Sequence, residues 1–324
     1  MGGVVPTEPL LPSVVTVGKQ LQFKMPEGGR DMAVTHADPD GGGDVARSTD
    51  ARPHAPRMTY VLQQCFRYTY DAPVRDVNQR LVVVPPRRHG NQRRRLHSVT
   101  VSAADARSAR RRDAAGNMIT EFHVPLVPDS VEFVVEAVVD RVGTGSDVLL
   151  PAAVLTDPRL LRPTRLTAAD PAIRALAATM ASHDRLATAE RFCGYVHETI
   201  TYAHGATSVA TTAAEALAGG HGVCQDTAHI MIALCRAAAL PARYVSGHLL
   251  GEGGTHAWVE VVVADAAGAR AVAFDPCNGR RAGSDYLTVA TGRDYADVAP
   301  TSGSYRGTAH GTLTASKRVA VSLA

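Results

Sequence analysis

Cysteine is scarce in this chain: five residues among 324, an odd number at no repeated spacing and with no Cys-x-x-Cys pair. That pattern excludes the disulfide framework of a small secreted domain and leaves no thiolate set for a structural zinc site, so a reducing, cytoplasmic compartment is expected. An excess of one charge is lacking too. A formal net charge of +3 is too small to make nucleic acid or an anionic membrane the main partner. No apolar run is long enough to cross a bilayer, and Pro6, Glu8, Pro9 and Pro12 interrupt the apolar residues near the start, so neither a span nor a signal peptide is read there. No calcium-loop pattern is evident, and no cofactor is expected. What is present is a hydrophobic fraction of 45%, enough for a real core, in a length that suits two modest domains.

The chain is organised around His221-Gly222-Val223-Cys224-Gln225-Asp226-Thr227-Ala228-His229. From Cys224 the apolar positions Ala228, Met231, Leu234, Cys235 and Ala238 recur at helical spacing, which predicts a helix with one buried stripe, stopped before Pro241. Gly219, Gly220 and Gly222 give a permissive lead-in that leaves Cys224 in the first turn. The free amides and partial positive charge of a helix start favour thiolate over thiol, and the thiolate is the nucleophile.

Two later stretches bear on that cysteine. Thr255 to Val263 alternates with β-branched residues, predicting a strand that sets His256, Trp258 and Glu260 on one face. Ala271 to Asp275 is a second strand, ending at an aspartate before the turn Pro276-Cys277-Asn278-Gly279. Cys224, His256 and Asp275 thus come from a helix start, a strand start and a strand end, in the order nucleophile, base and orienting group. The amide of Cys224 itself is a natural oxyanion donor. Zinc held by Cys224, His229 and Cys235 is the natural rival, but on one helix His229 points away and Cys235 lies about 16 Å along the axis, so no metal site is read. Trp258 is more often core than catalytic; Asp226 suits the helix dipole; His229 and Glu260 read as a satisfied histidine and a strand-face carboxylate.

These blocks resemble the transglutaminase-like superfamily of papain-type thiol enzymes in its bacterial form. The resemblance rests on Gly222-Val223-Cys224-Gln225-Asp226 with Ala228-His229, Pro241-Ala242-Arg243-Tyr244-Val245-Ser246-Gly247, His256-Ala257-Trp258-Val259-Glu260-Val261, Phe274-Asp275-Pro276, and Gly292-Arg293-Asp294-Tyr295 with Ala299-Pro300. It covers residues 195 to 315 closely. The sequence departs at Thr227, where an aromatic is more usual, and at Cys277, where threonine is common. The resemblance implies an α+β fold, a papain-like transglutaminase core with helices followed by an antiparallel sheet, preceded by a small all-β domain.

Residues 1–57, rich in Gly, Pro, Asp and Thr, read as a disordered leader; the pattern changes abruptly at Met58, which could itself be the translation start. Residues 58–150 contain at least five short alternating strands, opening with Tyr60 to Tyr70, and read as a sandwich-like domain resembling the N-terminal region that precedes bacterial transglutaminase-like cores. Within it Arg87-Arg88, Arg93 to Arg95 and Arg110 to Arg112 are placed in hairpin loops, as solvated charge rather than a nucleic-acid surface. Pro151, Pro158 and Pro163 punctuate a linker, and 151–324 is expected to be the catalytic domain, with helices from about Ala172, Ala187 and Thr212. Strands are expected after Pro241, including one over Gly311 to Leu323.

The function expected is acyl transfer at amide bonds of a peptide or protein through Cys224, His256 and Asp275, by hydrolysis or transfer to an amine. A narrower amidase for an unusual peptide-like substrate, and a non-catalytic interaction module of the same fold, are the alternatives. Oligomeric state is not legible in the sequence.

Overall fold

The structure, a computed structural model, describes residues 2–5, 57–143, 147–251 and 254–323. In chain order its elements are β1 (Gly2–Val5), β2 (Arg57–Tyr70), β3 (Val74–Val84), β4 (Arg88–His89), β5 (Gln92–Val101), β6 (Arg107–Arg112), β7 (Met118–Val127), β8 (Ser130–Val142) and β9 (Val148–Leu150). Then come α1 (Pro158–Leu161), α2 (Pro171–Met180), α3 (Arg185–Thr199), β10 (Thr201–Tyr202), α4 (Ala213–Gly219), β11 (His221–Gly222) and α5 (Cys224–Ala237). The rest is β12 (Ala242–Leu249), β13 (His256–Asp265), β14 (Gly268–Asp275), β15 (Arg280–Arg281), β16 (Tyr286–Gly292), α6 (Tyr295–Val298), β17 (Thr301–Arg306) and β18 (Gly311–Leu323).

Two sheets of the sandwich run β1-β17-β3-β7-β6 and β18-β2-β8-β5-β4, closing on a core that includes Phe66, Tyr68, Leu81, Phe122 and Phe133. A third sheet, β15-β14-β13-β12-β16 with β9 added beside β14, carries α3 and α5 against one face, with α2 and α4 packed on α5. Even-numbered residues of β2 from Tyr60 to Tyr70 are all buried. Because strand side chains alternate, they share one face, and that face serves two cores: Phe66 and Tyr68 fill the sandwich, while Tyr60 and Leu62 meet Leu287 of β16.

Helix starts follow the sequence. Asp170 caps α2 with Pro171 at its first position, and Asp184 accepts from two amides of α3. Thr212 and Glu215 form a reciprocal capping box on α4, which ends at Gly220 with φ 66°. The expected buried stripe on α5 is exceeded: Gln225 through Arg236 are buried on every side. The helix is central, packed between α2, α3 and α4 and the sheet strands β12 and β13, so its polar residues need internal partners. Arg236 has four, donating to Leu160 O, Thr167 Oγ1, Ala242 O and Arg293 O.

Three placements in the structure add to the sequence reading. The strand expected at Gly311 to Leu323 forms, but β18 pairs along its whole length with β2, and β17 pairs with β3, so the end of the chain completes the sandwich rather than the third sheet. The physical reason is edge coverage: β2 has its own buried face and would otherwise present a long unpaired edge. Of the expected leader, Gly2–Val5 pairs with β17 and residue 57 already lies in β2; residues 6–56 fall outside the described residues. Finally, the arginine runs expected in loops lie largely on β4, β5 and β6.

The two parts are joined by side chains that imitate strand pairing. Gln92 donates to Thr288 O at 2.7 Å and accepts from Thr288 N at 2.9 Å; Asn117 does the same with Thr291 at 2.8 and 3.0 Å. Both cover the outer edge of β16, where the third sheet ends.

Candidate active site

The lead-in to α5 is held from three sides. β11 pairs in parallel with β10, Thr201 opposite His221 and Tyr202 opposite Gly222. Val223 sits at the N-cap in extended conformation and has no side chain that can cap, so the Asp226 carboxylate accepts its amide at 2.8 Å and takes the Thr207 hydroxyl at 2.6 Å. Gly222 is required here, since a Cβ would lie 2.7 Å from Asp226 Cβ. Burial pushes the Asp226 carboxyl up, against the hydrogen bonds from Thr207 and Val223. Cys224 follows as the first helical residue, a free thiol partly buried at the margin of the helical core. First-turn amides of a helix have no intrahelical acceptor.

His256 opens β13, with Gly247 of β12 as its cross-strand partner. Asp275 closes β14 and is fully buried. The two are bonded, His256 Nε2 to Asp275 Oδ2 at 2.7 Å. That oxygen also accepts from Tyr286 OH and from Asn278 Nδ2, each at 2.7 Å, while Oδ1 accepts the amides of Cys277 at 2.9 Å and Asn278 at 3.2 Å. Burial alone would raise the Asp275 carboxyl, but the bonds from His256, Asn278 and Tyr286 outweigh it and hold it below the usual range. The His256 ring lies 6.3 Å from Trp258 at 27° and 6.0 Å from Tyr286, between two aromatic walls. Trp258 fits because residue 247 is glycine: a Cβ there would stand 2.5 Å from Trp258 Cη2 and 2.2 Å from Leu287 O.

α5 packs on β13, so the helix that begins at Cys224 rests on the strand that begins at His256. Beside the helix start is a cleft of about 630 Å³ whose lining includes Thr207, Ser208, Thr211, Glu215 and His221. Thr207 is the residue that holds Asp226.

The other residues singled out in the sequence have structural partners. His229 is completely buried and accepts the Tyr295 amide at Nε2, 3.2 Å away; burial, then Arg236 and Arg165, lower its pKa to about 3. Glu260 is buried and bonded to Arg243 at 2.7 Å and to His89 of β4; burial would raise it, but Arg243 and His89 hold it at about 2. Among the described residues, no group of three His, Cys, Asp or Glu side chains is placed to hold a metal ion. Sequence reasoning missed Tyr286, Asn278 and Thr207. Only Asn278 left a signal, as part of the turn after Asp275.

The sequence comparisons agree with this architecture. Residues 174–276 match the transglutaminase-like superfamily core, and residues 60–140 match the bacterial transglutaminase-like N-terminal region. The chain belongs to the transglutaminase-like superfamily. It is 30% identical over 249 residues to an uncharacterised protein of Mycobacterium tuberculosis H37Rv, covering 67% of this chain and 78% of that one. To an uncharacterised protein of Mycobacterium leprae it is 29% identical over 260 residues, covering 74% and 90%. A solved structure from Cytophaga hutchinsonii, provisionally classed as a cysteine protease, superposes with a TM-score of 0.66 at 21% identity, covering 82% of this chain and 91% of that one, and shares the fold. Among the described residues no helix is long and apolar enough to cross a membrane.

Proposed function

We propose that the protein is a thiol-dependent acyl-transfer enzyme acting on amide bonds of a peptide or protein, with Cys224 as nucleophile, His256 as base and Asp275 as its orienting group. The observation that carries this reading is the bonded His256–Asp275 pair, whose histidine opens β13, the strand on which the Cys224 helix packs. With Nε2 committed to Asp275, Nδ1 is the nitrogen that exchanges a proton with the thiol. The thiolate attacks the carbonyl carbon, the Cys224 amide at the helix start stabilises the developing oxyanion, and the C–N bond breaks as imidazolium protonates the leaving amine. A thioester on Cys224 remains, and water or a second amine takes the acyl group. Hydrolysis is proposed over cross-linking, because water needs no acceptor site of its own and an amine does. The five free cysteines suit a reducing cytoplasmic compartment.

A non-catalytic interaction module is the second reading, and three intact residue types at these places weigh against it. The test is p-nitrophenyl acetate, a small activated acyl donor. Expected is a burst of one p-nitrophenolate per chain with an acetyl group mapped to Cys224. An equal burst from Cys224→Ala would overturn the proposal.

A further inference from the structure

One edge of the sandwich carries charge that the described residues do not neutralise. β6, Arg107–Arg112, ends the first sheet; among the described residues it pairs with β7 alone, and all six of its residues are exposed. On the second sheet β5 brings Arg93, Arg94 and Arg95, with Arg87 and Arg88 just ahead. Arg94 lies on the inward face of β5, opposite the buried Val139, while Arg93 and Arg95 lie on the outer face with Asp140. Besides burial, Arg112 and Arg87 disfavour the charge on Arg94, and Arg94 and Arg110 disfavour a charge on His97.

Internal compensation is thin. Carboxylates reach Arg111, from Glu121 at 2.9 Å, and Arg95, from Asp140 at 3.4 Å. Arg94 and Arg112 each give one N–H to a backbone carbonyl, of Pro85 and Gly116. Arg87, Arg88, Arg93, Arg107 and Arg110 have no ion pair among the described residues. A few edge charges are a common guard against wrong strand pairing. Guarding β6 does not by itself call for an arginine on the inward face of β5, Arg94, close enough to Arg112 for that residue to disfavour its charge.

We infer that the β6 edge is a docking site for an acidic polypeptide segment, bound in extended form as an added strand. Arg110 and Arg112 share one face of β6, about 7 Å apart, which matches carboxylates two residues apart on an incoming strand. The edge, paired among the described residues with β7 alone, offers that strand backbone donors and acceptors. Nucleic acid fits less well: the patch has no aromatic side chain for base stacking, and a sugar–phosphate chain cannot continue a β-ladder. This surface is independent of the Cys224 reading.

The experiment is fluorescence anisotropy of the full chain with a fluorescein-labelled peptide of alternating Glu and Thr, its analogue N-methylated at alternate amides, and an oligothymidylate of equal charge. Expected is saturable binding of the plain peptide, weakened about tenfold or more in Arg110→Glu/Arg112→Glu and about tenfold on raising salt from about 0.05 to about 0.3 M. The N-methylated peptide should fail to bind, and Arg318→Glu, at the opposite edge of the second sheet, should bind as wild type. Equal affinity for the N-methylated peptide would leave charge without strand addition and overturn the inference. So would tighter binding of the oligonucleotide, indifference to the double variant with an unchanged circular dichroism spectrum, or edge-to-edge self-association of the free protein in sedimentation.

Discussion

Tyr286 donates its hydroxyl to Oδ2 of Asp275 at 2.7 Å, on the same oxygen that His256 reaches at the same distance. The phenol therefore shares in holding the carboxylate ionised and fixed, and its own proton is held firmly, since burial and the Asp275 charge both raise its pKa. Tyr286→Phe should lower kcat by about tenfold with KM little changed, and should shift the loss of activity on acidification to higher pH, because the Asp275 carboxyl loses a stabilising donor. Asp275→Asn should cost on the order of 10³ to 10⁴ in kcat through the wrong imidazole tautomer, and Cys224→Ala should leave no turnover. A pH–rate profile of each variant on one acyl ester decides this; an unchanged Tyr286→Phe profile would remove the phenol from the orienting role.

The helix start at Cys224, the strand start at His256 and the strand end at Asp275 are legible in the sequence because glycines, alternation and a Pro-Asn-Gly turn punctuate them locally. Tyr286 is not legible as a partner of Asp275: its reach depends on β16 lying beyond β12, a relation of sheet order that no local pattern encodes. The same limit explains β18. Its alternation announces a strand, but nothing in the stretch says that its partner lies near residue 58 rather than residue 242.

A second prediction concerns those long-range pairings. A chain ending at residue 310 loses β18, uncovers the edge of β2 and removes the buried Leu313 from the sandwich core. Its melting temperature should fall by more than about 10 °C, and it should associate through the exposed edge. A calorimetric scan with light scattering measures both. An unchanged, monomeric melt would show that β18 adds nothing to the fold.

Acid should weaken the protein through His229. Its folded pKa, about 3, lies below the ordinary value of 6.5, so the unfolded chain binds the proton more readily. The stability this neutral imidazole contributes is present above pH 6.5 and is lost as pH falls from there towards 3, with a slope of about 1.4 kcal/mol per pH unit. His229→Gln keeps an acceptor for the Tyr295 amide and removes the titration. Urea unfolding at pH 7 and pH 5 should show wild type losing more stability than the variant; equal losses would mean that His229 is not held neutral.

The last prediction needs no substrate. Burial raises the thiols of Cys65, of Cys193 to about 12, and of Cys235, which keeps them in the unreactive protonated form. Cys277 lies two residues after Asp275 in the turn that follows β14, with its amide bonded to that carboxylate and, among the described residues, no helix start beside it. Cys224 has the opposite setting, at the N-terminus of α5 and partly open to solvent. Sub-stoichiometric iodoacetamide at pH 6 should therefore modify Cys224 first, as peptide mapping would show. If His256 shares its proton, His256→Ala should slow that reaction at least about tenfold at pH 6 and far less at pH 9, where a thiol ionises unaided. Labelling of Cys277 or Cys65 ahead of Cys224, or a rate at pH 6 indifferent to His256→Ala, would mean that the thiol and the imidazole do not act together.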